Sequence, residues 1–278
     1  MYDSLIDKYS KNDIDKKKII KLAQEASNRI FYRINEENNK SYILMDSSKE
    51  PEQYINLLKV YNLIKDINIS IPKITDCDSR KYLVLFEDFG DNRFDKLINN
   101  SNYNNLLFKI AMQSLVVIKK NSNVNKNIIP TYNFDYIEKE ISEFIDWYYP
   151  FIWKKKASNN MKKEFIDLWK NLYSQMNFAN KDIVHRDFFC NNLIYLPSRK
   201  NHLKCGIIDY QDAFMGDQIL DVVSLFEDSR RIIDQSCKES LIDYYLKETN
   251  QLNEKKNFII KLNFLGACRQ TRILGRWV

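Results

Sequence analysis

Glycine is scarce in this chain, and its scarcity restricts the available nucleotide-binding folds more than any other feature. The 278 residues include five glycines, each standing alone, and none of them precedes a lysine. A dinucleotide-binding fingerprint needs the pattern G-x-G-x-x-G, and a phosphate-binding loop needs a glycine directly before its lysine. The sequence therefore excludes both glycine-rich motifs, and any bound nucleotide must be held in another way.

Composition and charge narrow the possible partners and the compartment. A formal charge of +6 spread over the whole chain permits anionic ligands but is weak evidence for nucleic-acid binding. The first residues, MYDSLIDKYSKND, lack the apolar core of a signal peptide, and no apolar run is long enough to span a membrane. The five cysteines include no CxxC pair, which is typical of reduced cytoplasmic thiols. We expect a cytoplasmic monomer without a nucleic-acid or membrane partner.

Hydrophobic spacing predicts a strand-rich amino-terminal part and a larger, mainly helical remainder. Strand-like runs occur at residues 31–34, 42–45, 82–86, 193–195 and 206–210. Helical spacing occurs at 18–26, 54–64, 107–118, 137–148, 165–176, 218–226, 239–247 and 257–274. We predict an α+β chain with a boundary at Gly90, so that residues 1–90 form one lobe and residues 91–278 the other. The chain stops at RILGRWV without a turn or cap residue, which is typical of a truncated end.

One segment carries residues suited to phosphoryl transfer. IVHRDFFCNNLIY places His185, Asp187 and Asn192 within one loop, and the strand-like run GIID ends at Asp209. Asp187 is placed to accept the proton of an attacking hydroxyl, although a lone Asp after a strand is more often a turn or cap residue. Asn192 and Asp209 offer the oxygen ligands that Mg²⁺ prefers, and a hairpin between the flanking strands would bring them together.

These motifs resemble those of a known enzyme family. HRDFFCNN followed by IIDYQD is similar to the HxDxxxxN…D signature of the kinase-like fold, and most similar to its aminoglycoside phosphotransferase/choline kinase group. The segments ASNRIFYRI, YILMDSS, LFEDFGD, IDYQDAFMGDQILDVVSLFEDSR and GACRQTRILGRWV resemble bacterial anomeric kinases of N-acetylmuramate and N-acetylglucosamine. The resemblance runs from about residue 23 to the carboxyl end. It implies a two-lobed, protein-kinase-like fold, with a small strand-rich N-lobe and a larger helical C-lobe.

The resemblance also implies roles for individual residues. Asp187 would be the catalytic base, with His185 and Asn192 completing the catalytic set, and Asn192 and Asp209 would bind Mg²⁺. His185, Asp212 and Asp221 would support the catalytic loop, and for Asp212 a local turn or pair is an equal alternative. The implied nucleotide contacts are Glu87, Asp88 and Phe89, whose backbone would meet the adenine edge of ATP. Apart from the resemblance, Arg186, Trp147 and Tyr148 are candidate contacts for the acceptor, because an aromatic run can stack on a sugar face, although the two aromatic side chains suit a packed helix end equally well.

The sequence departs from the wider family at two nucleotide contacts. Ala26-Ser27-Asn28-Arg29 stands where a glycine-rich loop would fall, and Met45 replaces the strand lysine that grips the phosphates. The anomeric sugar kinases share both absences. Guanidinium forks bind phosphate oxygens well, so Arg29 and Arg33, with Ser27, are candidate substitutes. The alternative for both arginines is an ordinary charged edge strand.

The combined prediction is an ATP- and Mg²⁺-dependent kinase of a small molecule. The acceptor that the resemblance favours is the anomeric hydroxyl of an N-acetylated amino sugar released during cell-wall recycling. An aminoglycoside, choline or another alcohol is an alternative, but such cationic acceptors favour an acid-lined pocket, and no dense acidic cluster surrounds Asp187 in the sequence. A pseudokinase without turnover is an alternative of another class. The presence of Asp187, Asn192 and Asp209 together argues against it.

Overall fold

The computed structural model describes residues 19–23, 28–35, 40–98, 104–122, 128–179, 181–228 and 230–278. The strands are Ile19–Lys21 (β1), Ile30–Asn35 (β2), Ser41–Asp46 (β3), Ile74–Asp78 (β4), Leu83–Glu87 (β5), Asp182–Val184 (β6), Leu193–Tyr195 (β7), Cys205–Ile207 (β8) and Phe214–Gly216 (β9). The helices are Pro51–Ile64 (α1), Phe94–Leu97 (α2), Asn104–Lys120 (α3), Phe134–Glu143 (α4), Tyr149–Trp153 (α5), Asn159–Gln175 (α6), Ile219–Phe226 (α7), Gln235–Glu248 (α8) and Lys255–Arg276 (α9).

The amino-terminal strands form one five-stranded antiparallel sheet in the order β1-β2-β3-β5-β4. Its core is a cluster of Ile34, Leu44, Leu83 and Leu85, which alternate with side chains on the opposite face. The helix α1 buries Tyr54, Leu57, Val60 and Ile64, whose spacing of three or four residues places them on one side. The sequence thus predicted β2 and β3 from strand-like runs, β5 from a compact apolar run, and α1 from its helical spacing.

The first strand corrects one expectation. Residues 18–26 were expected to be helical, but Ile19–Lys21 pairs antiparallel with β2, with Ile20 opposite Arg33. Two consecutive β-branched residues at an open sheet edge gain ladder hydrogen bonds that local helical spacing does not reveal. The remaining described residues of that range, Leu22 and Ala23, follow the strand outside any regular element.

Contacts divide the chain into two compact units that differ from the predicted lobes. The first unit comprises residues 1–97 and 191–212, and the second comprises 98–190 and 213–278. The difference arises because the β7–β8 hairpin is bonded to the amino-terminal part. Ile207 N donates to Ser70 O at 2.8 Å, Ser70 Oγ donates to Leu203 O at 2.6 Å, and Tyr195 N donates to Asn92 O at 2.7 Å. The hairpin that carries Asn192 and Asp209 is therefore part of the first unit, where a single boundary at Gly90 had placed it in the second.

The second unit is built around buried helix faces. The predicted face of α3, with Leu107, Ile110, Ala111 and Leu115, is buried, and every residue of α7 is buried. The long helix α9 packs against α4 and α7. No helix among the described residues combines the length and apolarity needed to cross a membrane.

The contact between α9 and α4 depends on a glycine. A Cβ at Gly275 would lie 2.6 Å from the main-chain carbon of Glu143 and 2.7 Å from the nitrogen of Phe144. Backbone atoms cannot give way as the end of a side chain can, so this approach requires a residue without a Cβ. Gly266, on the same helix, has Glu227 Cγ at 3.8 Å as its nearest neighbour, which is an ordinary contact.

We expect the same substitution at these two glycines to have opposite effects on stability. Gly275→Ala should lower the free energy of unfolding by roughly 1–3 kcal/mol, because the added methyl forces the helices apart. Gly266→Ala should raise it by roughly 0.5–1 kcal/mol, because alanine loses less backbone entropy in a helix. Urea denaturation of the two variants provides the comparison. A Gly275→Ala protein as stable as wild type would contradict the close approach.

Candidate functional site

A cavity of about 550 Å³ opens within the first unit, and residues expected to bind nucleotide line it. Its size lies in the range of small-molecule and cofactor sites. Ile43, Met45, Leu57, Ile194 and Ile208 supply apolar surface. The polar lining includes the candidate nucleotide and metal residues Arg29, Arg33, Glu87, Asp88, Asn192 and Asp209. Ser27, the remaining residue proposed for nucleotide binding, lies outside the described residues.

The two candidate metal ligands lie at the ends of the β7–β8 hairpin. Antiparallel pairing sets Leu193 opposite Ile207, and Ile208 N donates to the carbonyl of Asn192 at 3.1 Å. Asp209 follows with a φ of 64°, a left-handed conformation that is costly for a residue other than glycine and recurs at functional sites. The hairpin thus sets Asn192 beside the residue that precedes Asp209. An amide oxygen and a carboxylate fit Mg²⁺, which uses few protein ligands and keeps water and phosphate oxygens.

Among the described residues there is no group of three or more His, Cys, Asp and Glu side chains arranged to hold a metal ion. A dedicated protein cage, such as a zinc site, is therefore absent from that part of the chain. The Asn192 and Asp209 pair does not need such a cage, because nucleotide phosphates provide ligands to Mg²⁺ in kinase sites.

Arg29 is already bound to one of these residues. Its Nη2 donates to Asp209 Oδ1 at 2.9 Å, and the arginine is only 8% exposed. A guanidinium at this depth needs a carboxylate to offset its lost hydration. The cavity therefore holds a fixed positive charge beside Asp209.

Arg33 forms a fork between two carboxylates. Its Nε donates to Asp88 Oδ2 at 2.6 Å and its Nη1 donates to Asp91 Oδ2 at 2.7 Å. The hydrogen bond to Asp91 raises the pKa of Arg33, and the same contact lowers the pKa of Asp91. Arg33 thus ties β2 to the segment after β5, which is a structural role in addition to its predicted phosphate contact. The phosphate contact stays a prediction.

The segment Glu87–Phe89, predicted to face adenine, is fixed from the hairpin side. Arg199 Nη2 donates to Glu87 Oε1 at 2.6 Å, and its guanidinium lies 4.8 Å from the centroid of the Phe89 ring. Phe89 also packs on Gly206, where a Cβ would lie 2.7 Å from the ring. These contacts hold the backbone of the segment in one place at the cavity wall.

In the second unit, the predicted catalytic loop is held by one buried carboxylate. Asp221 Oδ2 accepts from His185 N at 2.8 Å and Asp221 Oδ1 accepts from Arg186 N at 2.9 Å. Ser224 Oγ donates to the carbonyl of Arg186 at 2.9 Å. Arg186 has a φ of 78°, so these bonds hold a strained backbone directly before Asp187. The structure gives Asp221 the contacts that a loop support requires, while its part in catalysis stays a prediction.

Burial dominates the electrostatics of Asp221. Burial raises the pKa of this carboxyl to about 7, although its main-chain hydrogen bonds with His185 and Arg186 act in the opposite direction. The negative charge of Asp187 raises the pKa further. His185 is itself buried and contacts the Phe188 ring edge-on at 5.8 Å.

The structure gives three other predicted residues, Asp212, Trp147 and Tyr148, contacts that do not by themselves indicate a function. Asp212 accepts from Gln211 Nε2 at 2.9 Å and from Gln53 Nε2 at 3.5 Å, which links it to α1. Trp147 is 65% exposed, and Tyr148 stacks on Phe144 at 5.1 Å between ring centroids. Neither aromatic residue lines the cavities described here, so their contact with an acceptor stays a prediction.

Sequence reasoning missed a group of charged residues around Arg186. Arg186 Nη2 and Arg272 Nη1 both donate to Glu140 Oε1, at 3.3 and 2.8 Å. Arg269 lies beside them on α9, nine-tenths buried. The sequence does show Arg269 and Arg272 three residues apart in the predicted helix at 257–274. Residues at this spacing lie on the same side of a helix, and arginines are rarely buried without a partner.

Comparison with known proteins confirms the fold and the family resemblance. A family model described as a phosphotransferase enzyme family matches residues 153–254, which include Asp187, Asn192, Asp209 and Asp221. The N-acetylmuramate/N-acetylglucosamine kinase of Caulobacter vibrioides is 25% identical over 214 residues, covering 74% of this chain and 58% of the relative. The kinase of the same name from Pseudomonas aeruginosa is 22% identical over 266 residues, covering 92% of this chain and 75% of that protein. The chain thus spans less than two thirds of the Caulobacter protein.

Solved structures share the protein-kinase-like fold. The GDP complex of aminoglycoside 2′-phosphotransferase-IIIa has a TM-score of 0.65 at 14% identity, covering 96% of this chain and 87% of that one. Amicoumacin kinase hAmiN, solved with AMP-PNP, Ca²⁺ and amicoumacin, has a TM-score of 0.62 at 14% identity, covering 98% and 84%. The predicted fold class is therefore confirmed, and the predicted class of enzyme is supported.

Asp221 should give the stability of the protein a specific pH dependence. Its pKa is higher in the folded state than the ordinary 3.8, so its stabilising contribution is complete below about pH 4 and is lost as the pH rises through about 7. Asp221→Asn does not titrate. The free energy of unfolding of wild type minus that of the variant should therefore fall by roughly 1–4 kcal/mol between pH 4.5 and pH 7.5.

Urea denaturation across this pH range measures the effect. Asp243→Asn, at an exposed carboxylate on α8, is the matched control and should show no comparable trend. If the difference for Asp221→Asn is constant with pH, burial does not raise the pKa of Asp221.

Proposed function

We propose that this protein transfers the γ-phosphoryl group of ATP, with Mg²⁺, to a hydroxyl group of a small molecule. The observation that carries the proposal is the first unit's cavity. Its lining includes the candidate metal pair, Asn192 and Asp209, the two arginines Arg29 and Arg33, and the Glu87–Phe89 segment. Phosphoryl transfer depends mainly on positioning and on charge stabilisation, and these groups supply both.

The nucleotide is assigned to this cavity. Apolar side chains such as Ile43 and Ile194 suit the faces of a purine ring, and the fixed backbone at Glu87–Phe89 suits its hydrogen-bonding edge. Arg29 supplies the positive charge that a strand lysine supplies in other kinases. Its bond to Asp209 orients the guanidinium, from which a phosphate oxygen can accept a second hydrogen bond.

Asn192 and Asp209 would hold Mg²⁺. A bound Mg²⁺ would offset the negative charge of the nucleotide phosphates. The contribution of the chain is to fix the two oxygen ligands, through the hairpin bond between Ile208 and Asn192 and the left-handed backbone at Asp209.

Asp187 is assigned as the base that accepts the proton of the acceptor hydroxyl. The HRDFFCNN spacing sets it five residues before Asn192 in the same loop. Asp221 and Ser224 hold the main chain on its amino-terminal side through three hydrogen bonds, those of His185 N, Arg186 N and Arg186 O. Such fixation favours catalysis, because a base must stay within hydrogen-bond reach of the proton that it abstracts.

The acceptor proposed is the anomeric hydroxyl of N-acetylmuramate or N-acetylglucosamine. Two relatives carry these sugars in their names. A hemiacetal hydroxyl is more acidic than that of an ordinary alcohol, so a carboxylate base needs little pKa adjustment to deprotonate it. This reaction would operate in cell-wall recycling in the cytoplasm, where ATP is present and the five cysteine thiols would stay reduced.

The alternatives differ in acceptor or in class. Aminoglycosides and choline are cationic, and the arginines Arg186, Arg269 and Arg272 near Asp187 disfavour them. A pseudokinase is disfavoured because Asp187, Asn192 and Asp209 are all present. A coupled ADP-release assay against amino sugars, aminoglycosides and choline separates these possibilities.

Replacement of the proposed base should strongly lower turnover but preserve nucleotide binding. Asp187→Asn keeps the shape of the side chain and removes its ability to accept a proton, so turnover should fall by roughly 10²–10⁴-fold. The nucleotide cavity lies within the first unit, so the affinity for ATP in a binding titration should stay within about 3-fold of wild type. Asp243→Asn is the control for removal of a carboxylate elsewhere. Undiminished turnover of Asp187→Asn would remove Asp187 from the mechanism.

The anomeric assignment is tested with a matched pair of substrates. N-acetylglucosamine and its 1-O-methyl glycoside differ only at the proposed nucleophile, so the free sugar should be phosphorylated and the glycoside should not. Phosphorus NMR of the product should show a sugar 1-phosphate. Similar rates with both substrates would place the reaction on another hydroxyl.

A further inference from the structure

A second cavity lies within the second unit and is lined mainly by charged residues. Its volume is about 10 Å³, enough for one oxygen atom or water molecule. Three arginines, Arg186, Arg269 and Arg272, line it together with Glu140 and Tyr132. None of these side chains has a role in the nucleotide cavity.

Glu140 supplies the negative charge of this lining, and both of its carboxylate oxygens already accept hydrogen bonds. Glu140 Oε1 accepts from both Arg186 and Arg272, and Glu140 Oε2 accepts from the hydroxyl of Tyr132 at 3.2 Å. One carboxylate therefore serves two guanidinium groups, and the third, Arg269, has no ion pair with any described residue. The cavity lining carries three positive charges and one negative charge, while Asp187 and Asp228 also act on Arg269 from outside the lining.

Arg269 presents a hydrogen-bond donor that the described residues do not satisfy. The residue is only 9% exposed, its Nη1 donates to Ser224 Oγ at 3.3 Å, and its guanidinium carbon lies 5.9 Å from the centroid of the Phe189 ring. Its Nε is buried and has no partner among the described residues. Burial, with the nearby charge of Arg272, lowers the pKa of Arg269. A buried donor of this kind is costly unless an acceptor joins it.

The cavity is electrostatically connected to the proposed base. Arg186 directly precedes Asp187, and the charge of Asp187 acts on Arg269 and on Arg272. Ser224 links the two sides, because its hydroxyl accepts from Arg269 and donates to the carbonyl of Arg186. A sugar whose hydroxyl contacts Asp187 would therefore lie near these guanidinium groups.

We propose that this arginine-lined cavity is an anion subsite that receives a carboxylate carried by the acceptor sugar, with Arg269 as the residue that determines this preference. The inference rests on the proposed function, and it distinguishes between the two sugars considered there. N-acetylmuramate is N-acetylglucosamine with an added lactyl ether, whose carboxylate is the only charged group on either molecule. The cavity has room for one carboxylate oxygen, to which the buried Nε of Arg269 can donate.

Equilibrium binding of the two sugars to the full chain, measured calorimetrically without nucleotide, tests the subsite. Wild type should bind N-acetylmuramate about 10- to 100-fold more tightly than N-acetylglucosamine, the range for a hydrogen bond to a charged group. Arg269→Gln should reduce this ratio to about 3-fold or less by weakening N-acetylmuramate binding. Equal binding of the two sugars by wild type, or an unchanged ratio in the variant, overturns the subsite.

Two further variants control for damage to the fold. Arg276→Gln removes an arginine from the same helix, where it pairs with Glu143, and should preserve the wild-type ratio. Arg269→Lys keeps the charge but removes the Nε donor. If Arg269→Gln does not fold, a several-fold loss of the ratio in folded Arg269→Lys supports the subsite, and no loss overturns it.

The measurement separates this inference from the proposed function. Binding that depends on the carboxylate, without phosphorylation of any sugar, supports the subsite and refutes the kinase reaction. Phosphorylation of both sugars with no preference in binding supports the kinase reaction and refutes the subsite.

Discussion

The predicted catalytic loop is held by one carboxylate that has no exposure to solvent. Asp221 binds the main-chain N–H groups of two successive residues, His185 and Arg186, and thereby holds Arg186 in a left-handed conformation. Its desolvation raises its pKa to about 7, so the loop is held by a group that is costly to charge. The two bonds fix the main chain directly before Asp187, which is the residue proposed as the base.

The first unit contains several ion pairs around its cavity, and the sequence has no glycine-rich phosphate loop. Arg33 binds two carboxylates, Arg29 binds Asp209, and Arg199 binds Glu87 while it packs on Phe89. Each pair lies wholly or partly out of water, where interaction between unlike charges is stronger than on an open surface. A glycine-rich loop offers main-chain N–H groups to phosphates. Here Arg29, held by Asp209, is the guanidinium that we propose for this role, whereas Arg33 already donates to both Asp88 and Asp91.

The two cavities differ in charge, and this difference bears on function. The first combines carboxylate, amide and guanidinium groups, as expected where a metal ion and phosphates meet. The second has more arginine than carboxylate and a buried Nε without a partner among the described residues. The lining of this second cavity favours an anionic group over a cationic one, and this is the basis of the proposed carboxylate subsite. The local distribution of charge is therefore more informative than the modest net charge of the whole chain.

The sequence by itself determined the fold class, the strands and helices with clear periodicity, and the residues of the HRDFFCNN and IID motifs. Those features are local: a period of two or 3.6 residues, or a fixed spacing of functional groups, is readable without knowing what lies opposite. Tertiary structure alone decided that Ile19–Lys21 is an edge strand, that the β7–β8 hairpin joins the first unit, and that Arg269 and Arg272 lie beside Arg186. These depend on which distant segments meet, because ladder hydrogen bonds, ion pairs and burial are properties of both partners, and a single segment of sequence contains only one of them.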